Sequence, residues 1–257
     1  MKLRWKTEKR VVPPDPKNAH RRQPLRILAV DTATASCAVA AVEGKDLRAE
    51  IFLAGGQTHS RHLMDLVALV LHRAGWTIAD VDGFAATCGP GSFTGLRIGL
   101  ATVKGLALAR EKPVTGVSTL DALAMPCGAS GMSVYALLDA RRDEVYWARY
   151  RDVGGALQRE GRAAVAPLET VLALVTEPAC FVGNAALRRQ KEIVGRLGRR
   201  ARIAPAALHT VRGYAVALLA NGQFEGGRGV DAGRLLPDYV RQADAQLNFR
   251  PGAFPGH

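Results

Sequence analysis

The chain has 257 residues, of which 48% are hydrophobic and 23% charged, and its formal net charge is +12. These values are typical of a globular protein with a sizeable core, and no apolar run reaches the ~18–20 residues that a membrane-spanning helix needs. The N-terminus is charged from Lys2 onward and has no apolar segment, which argues against a secretory signal. We therefore expect a cytoplasmic protein with no membrane contact.

The positive charge is unevenly distributed. Residues 1–26 contain nine Lys/Arg and two acids, whereas the remaining 231 residues contain 26 basic and 21 acidic residues. We predict that residues 1–24 form a basic extension without regular structure, because Pro13, Pro14 and Pro16 interrupt it. Contact with the phosphates of RNA is the alternative role for this extension.

The first ordered unit is predicted for residues 25–128. Its apolar runs and turn residues give the order βββαβαβ, which is typical of a compact mixed α/β unit. A glycine-rich loop, with glycines at 89, 91 and 95, lies between the fourth predicted strand and a helix that extends to Arg110. The predicted strands and helices cover 26–33, 36–43, 48–54, 59–75, 81–89, 93–110 and 113–118.

A second unit, predicted for residues 129–225, repeats this pattern in degenerate form. Two related α/β halves with a cleft between them are typical of nucleotide-binding architectures. Residues 226–257 are rich in glycine and proline and are predicted to be a C-terminal segment and tail. The predicted elements of the second unit cover 133–141, 143–151, 158–166, 169–176, 179–183, a helix from about 185, and 207–222.

The sequence shows no recognised catalytic or metal-binding pattern. The four cysteines lie 51, 39 and 53 residues apart with no C-x-x-C pair, which favours neither a disulfide framework nor a zinc site. His59 and His62 are three residues apart on a predicted helix, but no third ligand accompanies them. No serine lies in a G-x-S-x-G sequence. We predict no catalytic residue and no metal site.

The loop CGPGSFTGLRIG (88–99) is the main candidate for a binding site. The Rossmann pattern would need a glycine where Thr94 stands, and the Walker sequence G-K-[ST] is absent. Hydroxyl groups at the helix start and an arginine in its first turn could still bind an anion beside free backbone N–H groups. The alternative is a tight turn that needs glycine only for backbone freedom. The candidate anion-binding residues are Asp31, Gly89, Gly91, Ser92, Thr94 and Arg97.

Asp31 ends the first predicted strand, in the sequence VDTAT. Actin-like ATPases and sugar kinases carry D-x-G-T here, where an acid can hold Mg²⁺ beside phosphates. Ala33 replaces the glycine and disfavours close approach of a phosphate, so a structural aspartate that caps the turn is the favoured interpretation. The alternative is a self-sufficient ATP-dependent enzyme of the sugar-kinase type that uses Asp31 and the 89–97 loop.

Five stretches of the sequence together have the character of one protein family. They are ILAVDTATASCAVA, HSRHL, GPGSFTGLRIGLATVKGLA, GVSTLDALA and, at 237–241, PDYVR. These stretches resemble the TsaB family of bacterial threonylcarbamoyladenosine biosynthesis proteins, strongly over residues 26–125 and weakly beyond. The resemblance implies an α/β fold of two actin/hexokinase/heat-shock ATPase-like (ribonuclease H-like) subdomains, each a mixed sheet with helices.

The resemblance also implies a role without catalysis. The catalytic paralogue TsaD binds its metal through histidines in G-V-N-H-x-x-G-H, where this chain has Thr119 and Leu123. It implies a heterodimer with TsaD that works with the ATPase TsaE on the tRNA adenosine 3′ of the anticodon. Homodimerisation in isolation, direct contact with tRNA and weak nucleotide binding at a vestigial loop are left open. No tightly bound cofactor is expected.

The helix predicted for residues 93–110 is apolar on two nearly opposite faces. One face can pack on its own sheet, and the other consists of small residues that admit a close helix neighbour. We predict that this second face meets another subunit. The alternative is that the second domain covers it. The predicted interface residues are Leu69, Ile98, Ala101, Thr102 and Gly105.

Overall fold

The computed structural model describes residues 23–55, 59–238 and 240, without the side chains of residues 59–61 and 129–130. The predictions for the basic extension, apart from residues 23 and 24, and for the tail beyond 240 lie outside these residues.

The first half forms a five-stranded sheet in the order β3-β2-β1-β4-β5. The strands β1, β2 and β3 form an antiparallel meander, and β4 and β5 run parallel to β1. Apolar side chains on both faces of β1 and β2 explain why the sheet is covered on both sides. The elements are β1 (Arg26–Asp31), β2 (Cys37–Glu43), β3 (Asp46–Leu53), α1 (His59–Ala74), β4 (Gly83–Gly89), α2 (Phe93–Arg110), β5 (Val114–Ser118) and α3 (Thr119–Ala124).

The second half repeats this topology with the sheet order β10-β9-β6-β7-β8. Both halves therefore follow βββαβαβα, and the predicted pair of actin/hexokinase/heat-shock ATPase-like subdomains is confirmed. The elements are β6 (Ser133–Asp139), β7 (Glu144–Val153), β8 (Ala156–Pro167), α4 (Leu168–Ala173), β9 (Ala179–Val182), α5 (Asn184–Arg188), α6 (Gln190–Leu197), β10 (Ala201–Ile203) and α7 (Gly213–Glu225).

The helices form three layers around the two sheets. The helices α1 and α2 cover the outer face of the first sheet, and α4, α5 and α6 cover the outer face of the second. The central layer contains α3 and α7. Although α7 belongs to the second half by sequence, it packs on β1 and β2, whereas α3 packs on β6. The predicted unit 129–225 is thus a sequence repeat rather than a packing unit, because the halves exchange one helix.

Other differences from the sequence-based prediction concern short elements. Neither α3 nor β10 was predicted, and the helix expected from residue 185 is divided into α5 and α6. The helix expected over 207–222 begins at Gly213, because residues 206–208 form a separate 3₁₀ turn. The C-terminal segment packs on the first sheet: Val230 bridges to Val114, and Leu235 is buried.

Candidate functional site

Three of the stretches that carry the family resemblance meet at the carboxyl ends of β1 and β4. The Ser92 backbone N–H donates to the Ala33 carbonyl over 2.7 Å, which joins the glycine-rich loop to the turn after β1. The Asp238 N–H donates to the Cys88 carbonyl, also over 2.7 Å, which joins the C-terminal segment to the same loop. The loop therefore lies between two other parts of the backbone.

The glycines of this loop allow close backbone contact. A Cβ atom at Gly91 would overlap the Ala33 carbonyl oxygen, and one at Gly95 would overlap the Thr32 carbonyl oxygen. Only Gly89 has a left-handed conformation, with φ +131°, and its Cβ would overlap the Asp238 carbonyl oxygen. The alternative, a turn that needs glycine only for backbone freedom, was therefore wrong for Gly91 and Gly95. Their backbone already fills the space beside the β1 turn.

A side-chain hydrogen bond reinforces this closure. The Thr32 hydroxyl donates to the Gly95 carbonyl over 2.7 Å and is buried. The same hydroxyl lies where a Cβ at Gly99, one turn further along α2, would stand. The first two turns of α2 are thus fixed directly on the residue that follows Asp31.

The polar side chains at the start of α2 face outward. Ser92 caps the helix, with its Oγ accepting from the Gly95 N–H over 3.2 Å. Thr94 is exposed, and the Arg97 guanidinium stacks 3.9 Å from the centre of the Phe93 ring. Asp31 is fully buried. The structure therefore does not bring the predicted anion-binding side chains and Asp31 to a common surface.

Asp31 has the contacts of a structural residue. Its Oδ1 accepts from the Ala33 N–H over 3.1 Å, which is the turn-capping contact expected from the sequence, and from the Thr87 hydroxyl over 2.7 Å. Its Oδ2 is buried without a hydrogen-bond partner. Burial raises the pKa of Asp31 to about 6, and the two hydrogen bonds oppose this shift.

The residues expected in place of the catalytic histidines lie in the core. Thr119 and Leu123 are both fully buried in α3, between the two sheets. The His62 ring is exposed, 3.7 Å from Asp65. Among the described residues, no group of three or more His, Cys, Asp or Glu side chains is arranged to hold a metal ion.

The cysteines near the loop are poor nucleophiles. Burial, helped by the charge of Asp31, raises the pKa of Cys37 to about 11. Burial, helped by Asp238, raises the pKa of Cys88 to about 11. Both thiols therefore stay protonated at neutral pH, and a thiolate is the reactive form.

The outer face of α1 and α2 is open to solvent. Leu69 is 44% exposed, Ala101 and Gly105 are exposed, and Ile98 and Thr102 are half-buried. The second sheet lies on the other side of the first, so the alternative, that the second domain covers these helices, was wrong. Sequence reasoning missed Leu108, which is 67% exposed and follows Ala101 and Gly105 at helical spacing. The role of this face as a partner interface stays a prediction.

Over the part of the chain that the structure describes, no helix combines the length and the apolar character needed to cross a membrane.

Known proteins resemble the chain in sequence and in structure. The family model of TsaD, tRNA N6-adenosine threonylcarbamoyltransferase, matches residues 54–211. The Escherichia coli tRNA threonylcarbamoyladenosine biosynthesis protein TsaB is 41% identical over 152 residues, a match that covers 57% of this chain and 64% of that protein. The Bacillus subtilis protein of the same name is 28% identical over 228 residues, or 88% of this chain and 98% of that one.

A solved Pseudomonas aeruginosa structure, described as an uncharacterized protein with similarity to peptidase YeaZ, has a TM-score of 0.74 and 32% identity. The alignment covers 84% of this chain and all of that one. With a family model matched over more than half of its residues, the chain belongs to the TsaD family and, within it, to the TsaB proteins.

Proposed function

We propose that this chain is a non-catalytic partner in the formation of threonylcarbamoyladenosine in tRNA. Relatives from two bacteria carry the name of that biosynthesis. The observation that carries the non-catalytic part is the closed loop: the backbone of Gly91 and Gly95 touches Ala33 and Thr32, where a phosphate-binding turn would leave space. Buried Thr119 and Leu123 offer no imidazole ligand for a metal.

In this proposal the chemistry belongs to the catalytic paralogue TsaD, assisted by the ATPase TsaE. The N6 amine of the adenosine 3′ of the anticodon attacks the carbamoyl carbon of threonylcarbamoyl-adenylate. AMP leaves with the bonding electron pair, and the amine loses a proton. The present chain supplies a surface that holds TsaD in its working form. The proposed compartment is the cytoplasm, in keeping with four unpaired cysteines.

The outer face of α1 and α2 is the proposed contact with TsaD, or with a second copy of this chain when TsaD is absent. Leu69, Ala101, Gly105 and Leu108 present apolar atoms to solvent there. Small side chains on α2 let a partner helix approach closely, and a stable interface of ordinary size buries ~1,600 Å² in total. An exposed face of this kind is stabilised when a partner covers it.

Reconstitution of tRNA modification tests the proposal. TsaD, TsaE, threonylcarbamoyl-adenylate, ATP and an unmodified tRNA transcript are combined with and without this chain, and modified adenosine is measured by mass spectrometry. We expect modification to require both TsaD and this chain, and the chain alone to produce none. Modification by the chain alone, or equal modification without it, would contradict the proposal.

The kinase-type alternative is tested by magnesium-dependent phosphate release from the purified chain. Robust ATP turnover that disappears in Asp31→Ala would favour that alternative over the partner role. We expect no turnover above background, because the loop is closed against the β1 turn.

Ala101→Arg tests the interface. A buried unpaired charge or a forced separation of the helices costs several kcal/mol, and a loss of ~3 kcal/mol weakens association about a hundredfold. We expect this hundredfold weaker association with TsaD when the variant is measured by sedimentation. The circular dichroism spectrum should be unchanged, because Ala101 is exposed. The matched control is Ala173→Arg, at an exposed position of α4 in the other half. Equal association of both variants with TsaD would place the interface elsewhere.

A further inference from the structure

A second concentration of positive charge lies in residues 188–202. This segment of 15 residues contains seven basic residues and one acid, Glu192, for a net charge of +6. Outside it and residues 1–26, the rest of the chain has a net charge of −1. Apart from residues 1–26, all of the excess positive charge therefore lies in one short segment.

The fold places this charge around one edge of the second sheet. The segment comprises the end of α5, α6, a 3₁₀ turn at Gly198–Arg200, and β10 at the edge of the second sheet. Ile193, Leu197 and Ala201 are buried and attach the segment to the core. The exposed basic residues, which we call the basic surface, are Arg188, Lys191, Arg196, Arg199, Arg200 and Arg202.

Much of the basic surface is not neutralised by the protein. In the described part of the chain, Lys191, Arg196, Arg199 and Arg202 form no ion pair. Several other arginines are paired, and one of them, Arg188, belongs to the basic surface and pairs with Asp139. The remaining pairs join Arg149 and Arg151 to Glu160 and Glu177, Arg159 to Asp121, and Arg212 to Glu50. Uncompensated cations on one surface create a local positive potential that attracts an anionic partner.

A cavity of about 340 Å³ adjoins the start of this segment. It lies between α5 and the β6–β7 turn, and Arg189 joins its two walls by donating to the Asp143 carbonyl over 3.3 Å. Three consecutive residues of that turn are left-handed, with φ values of 63°, 53° and 59°, which is a costly backbone for side chains with a Cβ. Its lining contains four arginines, Arg141, Arg142, Arg188 and Arg189, and three acids, Asp139, Asp143 and Glu144. Arg188 pairs with Asp139, and Arg189 pairs with Asp143 and Glu192, so the cavity adds little net charge to the basic surface.

We propose that the basic surface binds the phosphate backbone of RNA. The inference rests on the proposed function, which makes tRNA the substrate of the complex. Arginine supplies the bidentate geometry that phosphates accept. A membrane surface is a poorer fit, because α6 buries Ile193 and Leu197 in the core and exposes only Val194 among its large apolar side chains.

The test is binding of a fluorescently labelled, unmodified tRNA transcript to the full chain at several salt concentrations. The variant Arg196→Gln/Arg199→Gln/Arg202→Gln removes three unpaired charges, and a second variant with glutamate at the same positions reverses them. We expect binding to weaken at least tenfold in the glutamine variant and further in the glutamate variant. The slope of log affinity against log salt should flatten by roughly 0.7–0.9 for each phosphate that the variant no longer neutralises.

The matched control is Arg73→Gln/Arg228→Gln/Arg234→Gln, which removes the same charge from exposed positions around the first sheet. Circular dichroism checks that all variants fold, and the glutamine variant keeps the test valid if glutamate disturbs α6. Unchanged tRNA affinity in the folded test variants would overturn the proposal, as would an equally large decrease in the control. Weaker association with TsaD at unchanged tRNA affinity would also overturn it, because the surface would then contact protein.

Reconstituted modification separates this inference from the proposed function. The glutamine variant should need a higher tRNA concentration for half-maximal rate and reach the wild-type rate at saturation. If the wild-type chain does not support modification at all, the proposed function fails, while the binding measurements still decide whether the basic surface contacts RNA.

Discussion

The two halves of the molecule differ in the helical segment that follows the fourth strand of each sheet repeat, β4 in the first half and β9 in the second. In the first half, β4 leads through the glycine-rich loop to α2, which has 18 residues and only three charged side chains. In the second half, β9 leads through Gly183 to α5, which has five residues, and then to the basic α6. The topological position is the same, but one half presents a long apolar helix and the other a broken, charged one.

Both connections are nevertheless closed by the backbone. A Cβ atom at Gly95 would overlap the Thr32 carbonyl oxygen, and one at Gly183 would overlap the Leu137 carbonyl oxygen. The N–H of Gly183 donates to Nδ1 of buried His209 over 3.1 Å, which fixes the second turn as Thr32 fixes the first. The comparison indicates that the scaffold is equally closed in both halves, and that the halves differ in the surface each offers to a partner.

The strongest test of this symmetry is the substitution of alanine at Gly95 and at Gly183. Each methyl group would meet a carbonyl oxygen of the main chain, which cannot move as a side chain can, and Gly183 also has φ +113°. We expect each variant to lose about 3 kcal/mol of unfolding free energy in urea denaturation. The control is Gly222→Ala in α7, where nothing lies within 4 Å of the added Cβ. If either variant is as stable as the control, the loop in that half is open, and the two halves are not equally closed.

The close contacts of these glycines with main-chain carbonyl oxygens could not be predicted from the sequence. The overall fold could be predicted, because apolar runs of strand and helix length follow one another twice in the same order. The glycine-rich loop was also evident, but its contacts with Thr32 and Asp238 join residues that are more than 60 and 140 positions apart. The number and spacing of glycines are the same for an open phosphate loop and for a closed turn.

Short elements and surface chemistry were harder to predict for other reasons. The six residues of α3 follow β5 without an intervening loop, and the residue that caps the helix, Ser118, is also the last residue of the strand. Its Oγ accepts from the Asp121 N–H over 3.4 Å, but a strand end and a helix cap at one residue are not separated by sequence pattern. The exchange of α3 and α7 between the sheets is a property of packing, which local periodicity does not report. The basic surface is present in the sequence, but only the burial of Ile193 and Leu197 shows that its arginines face solvent.

A second test compares the aspartates that end the first strand of each half. Asp31 is buried with a pKa of about 6, whereas Asp139, at the end of β6, is exposed. Because the folded pKa of Asp31 exceeds the unfolded value of about 3.9, folding favours its neutral form. This contribution to stability is fully present below about pH 4 and is lost as the pH rises through 6.

Asp31→Asn should remove that pH dependence. The amide oxygen of the asparagine can still accept hydrogen bonds from Thr87 and Ala33. We therefore expect the unfolding free energy of the wild-type chain, relative to that of this variant, to fall by about 2 kcal/mol as the pH rises from 4 to 8. Asp139→Asn is the control for the substitution itself, because it makes the same chemical change at an exposed position at the end of β6. Unfolding free energies from urea titrations at several pH values decide the matter. Parallel pH profiles for wild type and Asp31→Asn would show that the buried carboxylate does not titrate in this range.

The smallest expected effect on stability comes from alanine substitutions on the outer surfaces of the two halves. Gly105 in α2 and Gly195 in α6 are both exposed, and nothing lies within 4 Å of a Cβ added to either. Alanine at each position should raise the unfolding free energy by roughly 0.5–1 kcal/mol, because glycine is a poor residue in a helix interior. On stability alone the two variants should therefore be equivalent.

The two variants should differ in association with TsaD. If a partner helix lies close to Gly105, the methyl group of Gly105→Ala meets its backbone and weakens binding several-fold, whereas Gly195→Ala leaves binding unchanged because α6 belongs to the basic surface. Affinity for tRNA should stay unchanged in both variants, since neither alters a charge. Sedimentation with TsaD and anisotropy with tRNA measure the two affinities on the same preparations. Weaker association in Gly195→Ala, with Gly105→Ala unaffected, would reverse the assignment of the two surfaces.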